Sequence, residues 1–308
     1  MATACQARAV GRTGTGSSAR HGYSRPVRID LHTHSDQSDG TQAPADVMRA
    51  AADAGLDVVA LTDHDTTRGW GQAARAVRDT GVTFVPGIEI SCAADGISIH
   101  LLGYFVDPLN ATLLAELERT RASRRSRARR MVERLGPDTG LTWEQVQEQS
   151  GAEVTVGRPH IADALIASGV VASREEAFAS YLNSGSKYHV SHYAPDPAHA
   201  TRLVRAAGGV PVMAHPFATA RGRTVEVDVI ERMVDAGLAG LEVHHRDHSA
   251  EEVGQGLRLA ERLGLLVTGS SDYHGAGKAN DLGENTTSPE VFRQLVEQAT
   301  SGTGPIRP

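Results

Sequence analysis

Cysteine is nearly absent from this chain: Cys5 and Cys92 are the two in 308 residues. Two thiols cannot build a disulfide framework, so the fold must rest on a packed core, and a reducing cytoplasm is the expected setting. Aromatic residues are scarce, at 4%. Trp70 and Trp143 are too isolated to form a base-stacking platform, so a nucleotide ligand would be held largely by its phosphates. Excess positive charge is missing as well. With 31 Lys and Arg against 37 Asp and Glu, the net charge is −6, which argues against a general nucleic-acid-binding surface but leaves room for a local basic groove. No apolar run approaches the roughly 20 residues that cross a bilayer, so no membrane association is expected. Residues 1–26, rich in Gly, Ser, Ala, Arg and Thr, lack the apolar stretch of a secretory signal and read as a disordered tail. Cys5 and His21 within it have no evident partner.

What is present is ordinary globular material, 40% hydrophobic and 22% charged. Short apolar runs at Val27–Leu31, Val58–Leu61, Thr83–Val85 continuing to Cys92, and Ile97–Phe105 alternate with helical periodicity over Ala43–Ala54 and Arg68–Asp79. The rhythm returns after residue 200 with strands at Val210–Ala214, Gly240–Val243 and Leu265–Val267, and with helices at Pro197–Ala207, Val225–Ala236 and Glu251–Leu263. Such alternation predicts βα units around a largely parallel sheet. Between them, residues 106–200 read as all-helical. This segment has a long helix over Leu109–Leu135, capping boxes at Thr142/Gln145 and Ser173/Glu176, and Pro159 at a favoured first helical turn. The expected organisation is a tail (1–26), a barrel (27–105 and 201–290), a helical insertion capping it (106–200) and a C-terminal helix and tail (291–308). No oligomeric state and no obligate protein partner can be read from the sequence.

His32, His34, His64, Glu89, His215, Asp272 and His274 fall at or just past the carboxyl ends of predicted strands. His100 lies within the fourth strand, and Asp39 in the loop after the first. In a parallel barrel that rim gathers functional residues, and imidazole and carboxylate are ligands for manganese, iron and zinc. Unrelated surface histidines would have no reason to cluster at strand ends. Nine ligands exceed one tetrahedral ion and suit two to three divalent ions bridged by a carboxylate, Glu89 or Asp39. Clustered ions bind phosphate and lower the pKa of a shared water toward neutrality, a chemistry that needs no protein nucleophile.

The motifs Asp30-Leu31-His32-Thr33-His34 through Asp39-Gly40, Thr62-Asp63-His64-Asp65, Gly87-Ile88-Glu89, Ala214-His215-Pro216 and Gly269-Ser270-Ser271-Asp272-Tyr273-His274 resemble those of the PHP (polymerase and histidinol phosphatase) superfamily. The resemblance covers about residues 27 to 290. It implies a distorted (β/α)7 TIM-like barrel with a trinuclear metal centre whose nine ligand positions match the nine residues above. The stretch Gly157-Arg158-Pro159-His160-Ile161-Ala162 is similar to the TrpH/YciV-like branch, which includes 3′,5′-nucleoside bisphosphate phosphatases and 5′-to-3′ exonucleases acting on short RNA. That likeness implies phosphate contacts from Arg158 and His248. The chain departs from the pattern at Arg246, where a small residue or proline is expected. The implied activity is hydrolysis of nucleotide phosphomonoesters. Alternatives are exonucleolytic cleavage of short RNA, a histidinol-phosphatase-like reaction, and a structural metal-binding module without catalysis.

Other residues carry milder expectations. Asp63 and Asp65 flank His64 and could orient ligand histidines through the second ring nitrogen. The block Arg119, Arg121, Arg124, Arg125, Arg127, Arg129 and Arg130 is expected to be the wet face of its helix. Lys187, His189 and His192 are expected to be mostly solvated, and Cys92 to be a buried thiol.

Overall fold

A computed structural model describes residues 25–150, 156–183 and 185–308, together with Met1 and Val154. Most of the expected tail thus lies outside the described residues, including Cys5 and His21. At its end, Arg25 docks on Asp57. Seven strands form one sheet in the order of the chain: β1 (Ile29–Asp30), β2 (Val58–Leu61), β3 (Thr83–Ala94), β4 (Ile97–Tyr104), β5 (Val210–Met213), β6 (Gly240–His244) and β7 (Leu266–Gly269). Beyond β1 and β7, Thr33 pairs with Tyr273, and the His34 N–H donates to the Tyr273 carbonyl at 2.8 Å. This contact draws the first and last strands together, so the sheet nearly closes into a distorted (β/α)7 barrel.

The sheet is largely parallel but mixed: β4 runs antiparallel to both β3 and β5. The reason is local. Asp95 and Gly96 both adopt positive φ, 51° and 73°, and this Asp-Gly pair folds β3 straight back into β4 as a tight hairpin. What reads as two strand pieces, Thr83–Val85 and Ile88–Cys92, is one strand of 12 residues. It changes partner midway, pairing with β2 up to Pro86 and with β4 from Gly87 onward. Gly87 is needed there because a Cβ would sit 2.8 Å from the Thr62 methyl.

Helices α1 (Pro44–Asp53), α2 (Trp70–Thr80), α8 (Val227–Asp235), α9 (Ala250–Leu263) and α10 (Pro289–Gln298) follow strands, and α7 (Pro197–Ala206) leads into β5. Their apolar faces supply Met48, Val77, Val204, Ile230, Leu259 and Leu295 to the core. Between β4 and α7 lie α3 (Ala111–Thr139), α4 (Trp143–Ser150), α5 (Arg158–Ala167) and α6 (Arg174–Ala177). The 29-residue α3 starts where the Asn110 side chain caps the Leu113 N–H and stops at left-handed Gly140. It serves two cores. Leu113 and Leu117 pack with the barrel, whereas Met131, Val132 and Leu135 pack with Ile161, Leu165 and Leu182 of the helical segment.

Inside the barrel, Tyr104 is fully buried and donates its hydroxyl to the Leu31 carbonyl at 2.9 Å, bracing the strand that carries the H-x-H pair. Tyr104→Phe leaves that carbonyl buried without a partner, which should cost about 1–3 kcal/mol. The check is a urea midpoint lowered at constant slope; an unshifted midpoint would show that the brace contributes nothing.

Candidate metal centre

Past β1 the chain stays extended, and side chains two apart share a face. His32 and His34 therefore enter the same space, with Nε2 atoms 3.1 Å apart. Glu89, from the middle of β3, places Oε2 3.3 Å and 3.1 Å from those nitrogens. Asp272, just past β7, places Oδ1 3.5 Å and 3.4 Å from them. Tetrahedral ligands at bond lengths of about 2.1 Å stand about 3.4 Å from one another. His32, His34 and Asp272 are therefore spaced as ligands of one divalent ion, with Glu89 Oε2 within reach of both histidines.

Glu89 turns its other oxygen elsewhere. Oε1 faces His100 Nδ1 at 2.8 Å and His215 Nε2 at 3.4 Å. Asp39 faces His64 Nε2 at 3.7 Å and His274 Nε2 at 3.3 Å, and His64 Nδ1 lies 3.1 Å from Glu89 Oε2. All nine sequence-nominated ligands thus meet at one rim. Among them are three overlapping trios, His32/His34/Asp272, His34/Asp39/His64 and His64/Glu89/His100, each with its ligand atoms within 4.8 Å of one another. Strain accompanies the arrangement: His215 and Asp272 hold positive φ, 30° and 54°, where non-glycine residues cost of order 1–3 kcal/mol.

The residues fit a cation by a second criterion. His64 Nδ1, Glu89 Oε1, His100 Nδ1, His215 Nε2 and His274 Nε2 are buried atoms that lie close to other atoms of the cluster yet are not aligned to hydrogen-bond. Each such orphan costs about 1–3 kcal/mol, and divalent ions would satisfy them together. Without an ion, the carboxylates draw protons instead. Burial opposes charge on His34, yet bonds to Asp272 and Glu89 raise its pKa to about 9. His32 is raised well above its usual value against the same burial, by Glu242, Glu89 and Asp272. His215 falls to about 3 through burial and Arg221, and His274 to about 4 through burial and Lys278.

The surrounding contacts differ from the sequence expectation in four places. Asp63 and Asp65 touch no ligand histidine. Asp63 holds Ser35 and Ser38; Asp65 holds Ser91 and the Arg124 guanidinium. The carboxylate on a ligand ring nitrogen is Glu242, 3.0 Å from His32 Nδ1. A glutamate in the apolar run Leu241–Val243 is a signal that periodicity reading passes over, because its partner lies 210 residues away.

Second, His248 has both nitrogens committed to main chain, Nδ1 on the Val243 carbonyl and Nε2 on the Phe217 N–H. His245 is the neighbour that faces the rim, with Nε2 3.6 Å from Asp272 Oδ2. Arg221 and Lys278, unnoticed in the sequence, reach the same oxygen at 2.6 Å and 2.8 Å. Third, Arg246 turns away, bonding the Ala279 carbonyl and Asn280. It braces the loop whose Asn280 amide binds the Ser271 and Asp272 carbonyls.

Fourth, the arginine block is not one wet face. Arg121 and Arg124 reach Asp65, and Arg124 also bonds Ser91; Arg127 binds the Val190 carbonyl. Arg125, Arg129 and Arg130 are exposed. Arg124 and Arg127 share a small cavity with Arg158, whose guanidinium holds the Leu182 carbonyl and covers the Phe178 ring. His160 caps α5 by accepting the Gly157 N–H. Lys187 pairs with Asp138 at the surface, and Cys92 is a buried thiol.

Comparison with known proteins meets this geometry directly. The model of the PHP domain matches residues 30–188. The chain is 34% identical over 277 residues to a 3′,5′-nucleoside bisphosphate phosphatase of Chromobacterium violaceum, covering 87% of this chain and 95% of that protein. The chain belongs to the PHP family. Among other relatives, a 5′-3′ exoribonuclease of Haemophilus influenzae is 29% identical over 259 residues, 84% of this chain and 94% of that one. The crystal structure of a protein of Bifidobacterium adolescentis, assigned as a metal-dependent phosphoesterase, superposes with a TM-score of 0.85 at 40% identity, covering 88% of this chain and 96% of that chain.

A metal ion bound at this rim must displace the protons on His32 and His34. Divalent-metal affinity should therefore rise with pH between 6 and 8, by about tenfold per unit for each proton displaced. Manganese titration at several pH values checks this; an affinity independent of pH across that range would contradict the proton assignment.

Proposed function

We propose that this PHP phosphoesterase removes a phosphate monoester from nucleotides bearing a second phosphate, with 3′,5′-nucleoside bisphosphates as the favoured class. The protein is a hydrolase of phosphoric esters. His32, His34, Asp39, His64, Glu89, His100, His215, Asp272 and His274 would hold two or three divalent ions, manganese, iron or zinc. Bound there, the ions would supply Lewis-acid charge and an activated water. The protein's own groups then bind and orient. Arg221 and Lys278, converging on the outer oxygen of Asp272, fix that carboxylate and leave positive charge beside the reacting phosphate.

The observation that carries the second-phosphate reading is the arginine cluster. Arg124 has Asp65 as its carboxylate partner. Among the described residues, Arg127 and Arg158 have none and bond only to carbonyls. Burial together with Arg158 and Arg124 lowers Arg127 to about 9, and burial with Arg127, Arg124 and Arg158 lowers His192 to about 3. Uncompensated guanidiniums crowded together call for an anion, and a phosphate suits their paired donors. Because Arg124 also touches Ser91, two residues from Glu89, the cluster adjoins the metal rim.

A second reading, exonucleolytic cleavage of short RNA, draws on the outer side of α3. There a groove lined by Arg125, Arg129, Trp143 and Gln147 offers two guanidiniums for further phosphates of a strand. Release of phosphate from a 3′,5′-nucleoside bisphosphate, a 5′-mononucleotide, histidinol phosphate and a short 5′-phosphorylated RNA separates these activities. We expect the bisphosphate to give the highest kcat/KM. Replacing Arg127 or Arg158 with alanine should lower that value by about 10- to 100-fold, from the loss of charged hydrogen bonds of roughly 1.5–3 kcal/mol each. Equal turnover of bisphosphate and monophosphate by wild type, untouched by either substitution, would contradict the second-phosphate pocket.

A further inference from the structure

We propose that Glu242 is a positioning residue of the metal centre, a fully buried carboxylate that fixes the ring state of His32 and the backbone of His215 at the same time. The inference rests on the metal-centre reading above and adds a residue that coordinates nothing itself.

Glu242 lies in β6 between Leu241 and Val243, and all three are 0% exposed. An ionised side chain in such surroundings is costly unless its oxygens are fully engaged. Both are. Oε1 accepts from His32 Nδ1 at 3.0 Å, and Oε2 accepts from the His215 N–H at 2.9 Å. A ring N–H and a main-chain N–H, one aimed at each oxygen, use Glu242 as an acceptor on both sides.

Two consequences follow for the ligands. With one proton held on Nδ1 by Glu242, the proton an ion displaces from His32 is the one on Nε2, the nitrogen that faces His34, Glu89 and Asp272. A carboxylate behind a ligating imidazole fixes its orientation and raises its basicity. The second oxygen secures the main chain of His215 in its positive-φ conformation, which aims Nε2 at Glu89 Oε1. A single side chain thus coordinates the placement of ligands from β1 and β5.

Glu242→Gln separates positioning from packing. It keeps shape and volume but has one acceptor oxygen for two donors. If that oxygen serves His215, the amide N–H group faces His32 Nδ1 and favours the proton on Nε2, the ligating nitrogen. If it serves His32, the His215 N–H loses its acceptor. We expect the variant to fold, with a metal-free circular dichroism spectrum like that of wild type, and to bind manganese 10- to 100-fold more weakly by calorimetry. In zinc-loaded wild type, 15N spectra should show His32 protonated at Nδ1 and proton-free at Nε2.

A folded Glu242→Gln protein with wild-type manganese affinity would overturn the inference. So would a His32 that ligates zinc through Nδ1, and this second test stands even if the variant fails to fold. Wild-type protein that takes up no divalent ion would remove the metal-centre reading itself, and the role of Glu242 with it. That outcome is distinguishable from the other two, in which wild type binds and only Glu242 is discharged from its role.

Discussion

Glu89 is 1% exposed and has imidazoles on both sides of its carboxylate. Burying this carboxylate among five histidines, with Asp39 and Asp272 beside them, is a poor arrangement for a chain folding without cations. Several of the surrounding nitrogens are not aligned to hydrogen-bond, and others must hold protons well above their usual range. The rest of the molecule makes sense as a scaffold that keeps this unfavourable cluster together. The sheet closes through Thr33 and Tyr273 so that β1 and β7 can bring His34 and Asp272 to the same point. The hairpin at Asp95-Gly96 carries His100 back alongside Glu89. Positive-φ residues at His215 and Asp272 are tolerated at the ends of strands that neighbouring elements over-determine.

Charge around the cluster is graded. Inward of the ligands stand carboxylates that accept from them or from the loops beneath them: Glu242, Asp63 and Asp30. Outward stand cations, Arg221 and Lys278 on one flank and Arg124, Arg127 and Arg158 on the other. Cations bound at the centre and anions bound above it would each meet the complementary sign. On the proposed reading the helical segment would take part in binding, because Arg124, Arg127 and Arg158 all come from α3 and α5.

Much of the rim was legible because its logic is local. His32 and His34 are two residues apart, as are Asp272 and His274, and an extended chain turns such spacing into a shared direction. Apolar runs leading into His64 and His215 located two further strand ends, whereas Glu89, expected at a strand end, lies in the middle of β3. What could not be read depends on contacts distant in sequence. Glu242 acquires meaning only from His32, and nothing in the stretch around it announces that partner. The choice between His245 and His248 turns on which ring nitrogens the main chain already uses. The arginines of α3 have a visible helical period, yet period does not say which face meets the barrel. The antiparallel β4 was readable in principle from Asp95-Gly96, a signal outweighed by the alternation of strands and helices elsewhere.

The central claim is that these strand ends form a metal centre, and anomalous diffraction from crystals grown with manganese tests it most directly. The account predicts anomalous peaks enclosed by His32, His34, Glu89 and Asp272, with at least one more between Glu89 or Asp39 and the remaining histidines. Crystals in which manganese binds elsewhere, or in which no peak lies among these side chains while they keep the same positions, would contradict it.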